Sequence, residues 1–195
     1  MFKNPNPFTH NIHVKQKNPQ GRKSPRAAWW DYQNNAAYFV TICTKGKEHF
    51  FGKVEKGKML LSPQGAIADV FWHQIQQRVP GVGLGAWIVM PNHVHGIVII
   101  RGDVAAAGPL HATALQYVPA KNQHMAAISP PARSLSSIIR SYKSAVTMHC
   151  NRLELPFGWQ GRYHDHIIRD EISHDKISSY IQGNPGNWND DLHVG

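Results

Sequence analysis

The sequence predicts an α+β sandwich, an antiparallel sheet with helices laid on one face. Three observations predict it. Short runs of β-branched and aromatic residues recur along the chain. Between them stand segments whose apolar residues return every three or four positions. The order in which they alternate is strand, strand, helix, strand, strand, helix, strand, helix. A chain of 195 residues is long enough for one domain with an ordinary core.

The first strand is Ala37-Tyr38-Phe39-Val40-Thr41-Ile42-Cys43-Thr44. His49 to Leu61, with Lys56-Gly57-Lys58 at its centre, is expected to be a hairpin or a second strand. Ser62 suits a helix N-cap and Pro63 its first turn, and Ile67, Val70, Phe71 and Ile75 continue at helical spacing. Pro80 to Gly85 is expected to be a loop. Ala86 to Met90 and Val94 to Ile100 are two further strands, with Pro91-Asn92 between them. Ser134 to Cys150 carries Leu135, Ile138, Ile139, Tyr142 and Val146 on one side and is expected to be a second helix. A short strand follows within Trp159 to Ile168. Asp170 can cap a last helix through Ile172, Ile177, Tyr180 and Ile181, which Pro185 stops near Asn184.

Two segments do not fit a packed core. Residues 1–30 carry Lys3, Lys15, Lys17, Arg22, Lys23 and Arg26 with no acidic residue, and such a basic arm is expected to be flexible. Residues 102–133, rich in Ala and Pro, are expected to be an insertion loop. Residues 31–195 otherwise make a single domain.

Composition narrows the partners. Lys and Arg number 21 against 12 Asp and Glu, giving a formal charge of +9 and a pI near 9.7. Such a balance favours a polyanion such as nucleic acid. The two cysteines, Cys43 and Cys150, form no CxxC pair, so neither a disulfide scaffold nor a cysteine zinc site is expected. No apolar run reaches the ~18 residues of a membrane span, and the N-terminus lacks the apolar block of a signal peptide. A cytoplasmic protein with no membrane contact is expected.

The sharpest local motif is Met90-Pro91-Asn92-His93-Val94-His95-Gly96-Ile97-Val98. Alternate residues on a strand share a face, so His93 and His95 point together, about 6 to 7 Å apart. Two imidazoles so placed reach one metal ion, although an HxH pair alone equally describes histidines with no metal. A second pair, His164-Asp165-His166, serves either the same site or a solvated turn. A tyrosine can attack phosphorus and form a covalent phosphotyrosine. Tyr180 shares a helix face with Asn184 at i+4, so one face presents a nucleophile and a carboxamide ligand. Tyr142 is the rival, in Arg140-Ser141-Tyr142-Lys143-Ser144, but it also falls on the apolar stripe of its helix.

Taken together, the ordered segments resemble a family. Arg22-Lys23-Ser24-Pro25-Arg26 precedes Trp30-Asp31-Tyr32 and the first strand. The histidine strand follows, then Tyr142-Lys143-Ser144-Ala145. Last come Trp159-Gln160, Asp165-His166-Ile167-Ile168-Arg169-Asp170-Glu171, and Tyr180-Ile181 with Asn184-Pro185 and Trp188. This series is similar to the REP-associated tyrosine transposases, a branch of the single-tyrosine HUH (His-hydrophobe-His) enzymes, from about Arg22 to Trp188. Residues 101–133 match it poorly.

The resemblance implies a ferredoxin-like or RRM-like βαββαβ core. It implies that His93 and His95 bind a divalent ion, Mg²⁺ or Mn²⁺, with Asn184 as third ligand. It makes Tyr180 the nucleophile, since the family often carries Phe at the position of Tyr142. It implies a single-stranded, hairpin-forming DNA repeat as substrate, cleaved to a 5′-phosphotyrosine and a free 3′-hydroxyl. His166 is an auxiliary candidate for proton transfer. Arg22, Lys23, Arg26, Arg140, Lys143, Arg162 and Arg169 are expected phosphate contacts. The family includes monomers and, among its insertion-sequence relatives, homodimers. Two other activities fit the same residues: DNA binding without catalysis, and a metal phosphodiesterase using His93, His95, His164 and His166 with water as nucleophile. An RRM-like RNA binder is a third possibility.

Overall fold

The computed structural model of the chain describes residues 35–101 and 133–188. The expected N-terminal arm, with Arg22, Lys23 and Arg26, lies outside the described residues, as does all of the expected insertion except Arg133.

Among the described residues, six strands and three α-helices are present: β1 (Ala36–Cys43), β2 (Gly52–Glu55), β3 (Lys58–Leu61), α1 (Pro63–Arg78), β4 (Val82–Met90), β5 (His93–Ile100), α2 (Leu135–Arg152), β6 (His164–Ile168) and α3 (Glu171–Gly183). Strands β4, β5, β1 and β6 form one sheet in that order, and every neighbouring pair in it is antiparallel. This is the α+β arrangement of the βαββαβ core, with β2 and β3 added as a separate two-stranded hairpin. The hairpin turns at Lys56 and Gly57, both with positive φ (50° and 70°), as a tight two-residue loop requires.

The helix starts follow from their caps. Ser62, Ser134 and Asp170 each accept a hydrogen bond from the backbone N–H three residues on, satisfying donors that the first turn would leave bare. Helix α3 ends at Gly183, and a 3-10 turn, Asn184–Asn187, carries Pro185.

The sheet separates two layers. Tyr38, Val40 and Ile42 of β1, Val94 and Val98 of β5, and Ile167 of β6 face a core filled by Phe71, Trp72 and Ile75 of α1 and Leu135, Ile138, Ile139, Tyr142 and Val146 of α2. Gly96 lies on this face, and a Cβ there would overlap the Trp72 indole. The opposite face carries a smaller cluster of Ala37, Ile97, Ile168 and Ile181, flanked by Phe39, Ile88, Ile99 and Ile177. Ile177 and Ile181 belong to α3.

Two expectations are corrected. Helix α3 does not share a face with α1 and α2; it covers the other side of the sheet. Its apolar stripe marks which side of the helix is buried but carries no information on which sheet face receives it. Residues 82–85, expected to lie in a loop, belong to β4: Val82 pairs with Ile100 and Leu84 with Val98 before the register shifts between Leu84 and Trp87. Glycines at 83 and 85 weaken the strand signal, and the irregularity at 85–86 breaks the alternation.

Candidate active site

The histidine strand places its two imidazoles on the α3 side of the sheet. The β1–β5 register sets Thr41 opposite His95 and Cys43 opposite His93, while Val94 and Gly96 turn to the main core. Both histidines are buried, with ring centroids 4.3 Å apart. Convergence of the pair is thus a direct result of strand alternation.

Two neighbours hold the rings. Asn92 Oδ1 lies 2.7 Å from His93 Nδ1. An amide oxygen only accepts, so Nδ1–H donates and Nε2 carries the lone pair. Thr41 Oγ1 lies 2.9 Å from His95 Nδ1. Anchoring one ring nitrogen to orient the other is how ligating histidines are ordinarily prepared. Burial pushes the His95 pKa down to about 4, against a smaller upward pull from a hydrogen bond with the Val40 backbone. His95 is therefore a neutral imidazole at pH 7, the form that donates to a metal.

Helix α3 brings Tyr180 over this pair. Its hydroxyl oxygen lies 3.5 Å from His95 Nε2, and its ring meets the edge of Phe39 with centroids 6.2 Å apart. The side chain is 55% exposed, so the hydroxyl stays within reach of an incoming strand. The pocket is lined by Thr41, Cys43, Lys47, Asn92, His93, His95, Tyr180, Asn184 and Asn187. Tyr180, His93, His95 and Asn184, singled out in the sequence for one site, meet in one pocket within one chain.

Tyr142 sits elsewhere. It is buried in the main core on the other side of the sheet, donates its hydroxyl to Ala68 O at 3.1 Å and meets the Trp72 ring edge-on. Burial, aided by Asp69 and Cys150, holds its phenol well above the usual range. Of the two tyrosines, only Tyr180 borders the histidines.

The second histidine pair does not join the site. His166 pairs with Phe39 and His164 with Thr41, which puts both on the same sheet face as His93 and His95. Both are exposed, and neither lines the pocket. Among the described residues, no group of three or more His, Cys, Asp or Glu side chains is placed to hold a metal; the pocket brings together the two imidazoles, the Cys43 thiol and the carboxamides of Asn92, Asn184 and Asn187.

The basic residues divide similarly. Arg140, Arg162 and Arg169 are exposed and do not line the pocket. Lys143, on α2, donates to Gln160 O at 2.6 Å and stands over the Trp159 ring. Sequence reasoning gave no role to Thr41, Asn92 or Lys47. Asn92 directly precedes the histidine pair and was open to notice. Thr41 and Lys47 reach the pocket only through the β1–β5 register and the turn after β1.

Comparison with known proteins follows the same lines. No protein-family model matches the sequence. The chain is 35% identical over 173 residues to an uncharacterized protein of Haemophilus influenzae, covering 87% of this chain and 91% of that one. The chain belongs to the family of that protein. Among solved structures, it is similar to a REP-associated tyrosine transposase bound to a REP hairpin, with a TM-score of 0.50 at 21% identity over 78% of this chain and 68% of that one. The two share a fold. No helix among the described residues is long and apolar enough to cross a membrane.

Proposed function

We propose that the chain is a single-tyrosine DNA nickase and strand transferase of the REP-associated transposase kind, acting on single-stranded, hairpin-forming repeats. The observation that carries this reading is the 3.5 Å approach of the Tyr180 hydroxyl to His95 Nε2, in a pocket that also holds His93 and Asn184. The structural neighbour bound to a REP hairpin supports the choice of substrate.

The donor set fits a divalent ion. His93, with Nδ1 committed to Asn92, and His95, with Nδ1 beside Thr41, would hold it together with the Asn184 carboxamide. Imidazole donors suit Mn²⁺ better than Mg²⁺. Such an ion, when bound, supplies Lewis-acid polarisation of a phosphodiester. Among the described residues no carboxylate lines the pocket, so the cationic charge stays available to a phosphate.

The chain's own residues supply the rest. Tyr180 Oη attacks phosphorus, and its bond to phosphorus forms as the P–O3′ bond breaks. The 3′ oxygen leaves with the electron pair and gains a proton from solvent, while the phenol proton is lost to solvent. The products are a 5′-phosphotyrosine and a free 3′-hydroxyl, and attack by another 3′-hydroxyl reverses the step and joins strands. His166, exposed on the same sheet face, is a candidate relay for the proton. Arg22, Lys23, Arg26, Arg140, Lys143, Arg162 and Arg169 are assigned to phosphates flanking the cleaved linkage, where each neutralised charge releases counterions. One chain supplies both nucleophile and histidines, so a monomer suffices for one site.

The test is incubation with labelled hairpin DNA and Mn²⁺, read on a denaturing gel. A covalent protein–DNA species is expected from the native chain, none from Tyr180→Phe, and none from the His93→Ala, His95→Ala double variant. Hairpin binding with no adduct under any condition defeats the nickase in favour of a binding protein. Cleavage that releases free product without an adduct favours a water nucleophile.

A further inference from the structure

We propose that Lys47 contacts the phosphodiester under attack and bears part of the charge that builds on its non-bridging oxygens; this rests on the nickase reading above. Lys47 borders the pocket together with His93, His95, Tyr180 and Asn184. Among the described residues that line it, Lys47 is the only Lys or Arg, and no Asp or Glu is present to cancel it.

The turn that carries Lys47 is fastened to the histidine motif. The backbone N–H of Thr44 donates to Asn92 O at 2.9 Å, and its buried hydroxyl lies 2.7 Å from Glu48 O and 3.0 Å from Asn92 O. The Lys47 N–H returns to Thr44 O at 3.3 Å. Gly46 and Lys47 both take positive φ, 61° and 55°. That conformation suits Gly or Asn better than a long side chain, so a lysine here is held in an unfavourable backbone at the rim of the site. A cation fixed where charge develops acts most strongly in the transition state, because it needs no reorganisation as the charge appears. The side chain transfers nothing in the step.

The experiment uses full-length protein and a hairpin oligonucleotide whose cleaved linkage has been mapped from the native adduct. Lys47→Ala and Lys47→Gln are expected to slow adduct formation roughly 10²-fold, and Lys47→Arg to restore most of it. In a Tyr180→Phe background, Lys47→Ala is expected to weaken binding about tenfold. The difference should vanish when the one cleaved linkage is a neutral methylphosphonate. A loss of affinity that persists on the methylphosphonate, or adduct formation at the native rate by Lys47→Ala, overturns the Lys47 assignment alone. Absence of any adduct from the native chain overturns this inference together with the nickase.

Discussion

The Tyr180 hydroxyl oxygen and His95 Nε2 stand 3.5 Å apart although 85 positions separate them in sequence. The approach is made within one chain, by a helix that follows β6 and returns across the sheet. Under the proposed function, site assembly in cis is the expected consequence. Mixing Tyr180→Phe with the His93→Ala, His95→Ala variant should therefore give no adduct. A gel showing recovery near a quarter of the native yield would require the tyrosine of one copy to serve the histidines of another.

Asn92 is expected to matter for metal affinity more than for folding. Its carboxamide accepts from His93 Nδ1 at 2.7 Å, and loss of such a partner ordinarily costs 10- to 100-fold in affinity. Asn92→Ala should weaken Mn²⁺ binding by about that factor in calorimetry or by electron paramagnetic resonance. Thr41→Val should do the same at His95. Unchanged Mn²⁺ affinity in both variants would remove the orienting role.

The protein should lose stability as the solution is acidified below neutrality. The folded His95 pKa, about 4 through burial, lies below the ~6.5 of an unfolded chain. Between those values the unfolded state takes a proton that the folded state refuses, so unfolding gains as pH falls across the window and levels off below it. The cost approaches about 3 kcal/mol for this one group. Urea denaturation at pH 7 and pH 4.5, compared with His95→Gln, isolates it. An imidazole resonance for His95 titrating near 6.5 in the metal-free protein would contradict the burial argument.

Gly96 is expected to resist any larger residue. A Cβ at that position overlaps the Trp72 indole in the main core, so Gly96→Ala forces ring and strand apart. Overpacking of this sort costs roughly 1–3 kcal/mol, and here it also moves the strand that bears His95. Thermal melting should show the loss of stability, and Mn²⁺ titration a parallel loss of affinity. An Ala variant with native melting and native Mn²⁺ affinity would mean that the indole has room to shift.

Much of this architecture was legible in the residues, for identifiable reasons. The strand β1 announced itself through β-branched and aromatic residues, and two helix starts through Ser62 and Asp170. His93 and His95 were placed together by nothing more than two-residue alternation. What failed depended on long-range geometry. The glycines of β4 hid a strand that only pairing with β5 reveals. The side of the sheet taken by α3, and with it the meeting of Tyr180 and His95, is a matter of chain path. The choice between Tyr142 and Tyr180 stayed open on spacing alone; burial of Tyr142 against Ala68 and Trp72 separates them. Lys47 belongs to no motif and stands at the pocket because a turn bends it there.

Of the residues in α3, only Ile181 is buried, in the small cluster with Ala37, Ile97 and Ile168 and their partly buried neighbours, whereas α1 and α2 are rooted in the large core. Tyr180, the proposed nucleophile, thus rides on the most weakly moored of the three described α-helices. Opening of a helix held by so few buried contacts is expected to need less free energy than global unfolding. In hydrogen exchange, the amides of Ile177 to Gln182 should label well before those of Ile138 to Val146. If Tyr180 forms the proposed covalent bond, a helix held this loosely would ease release of the joined strand.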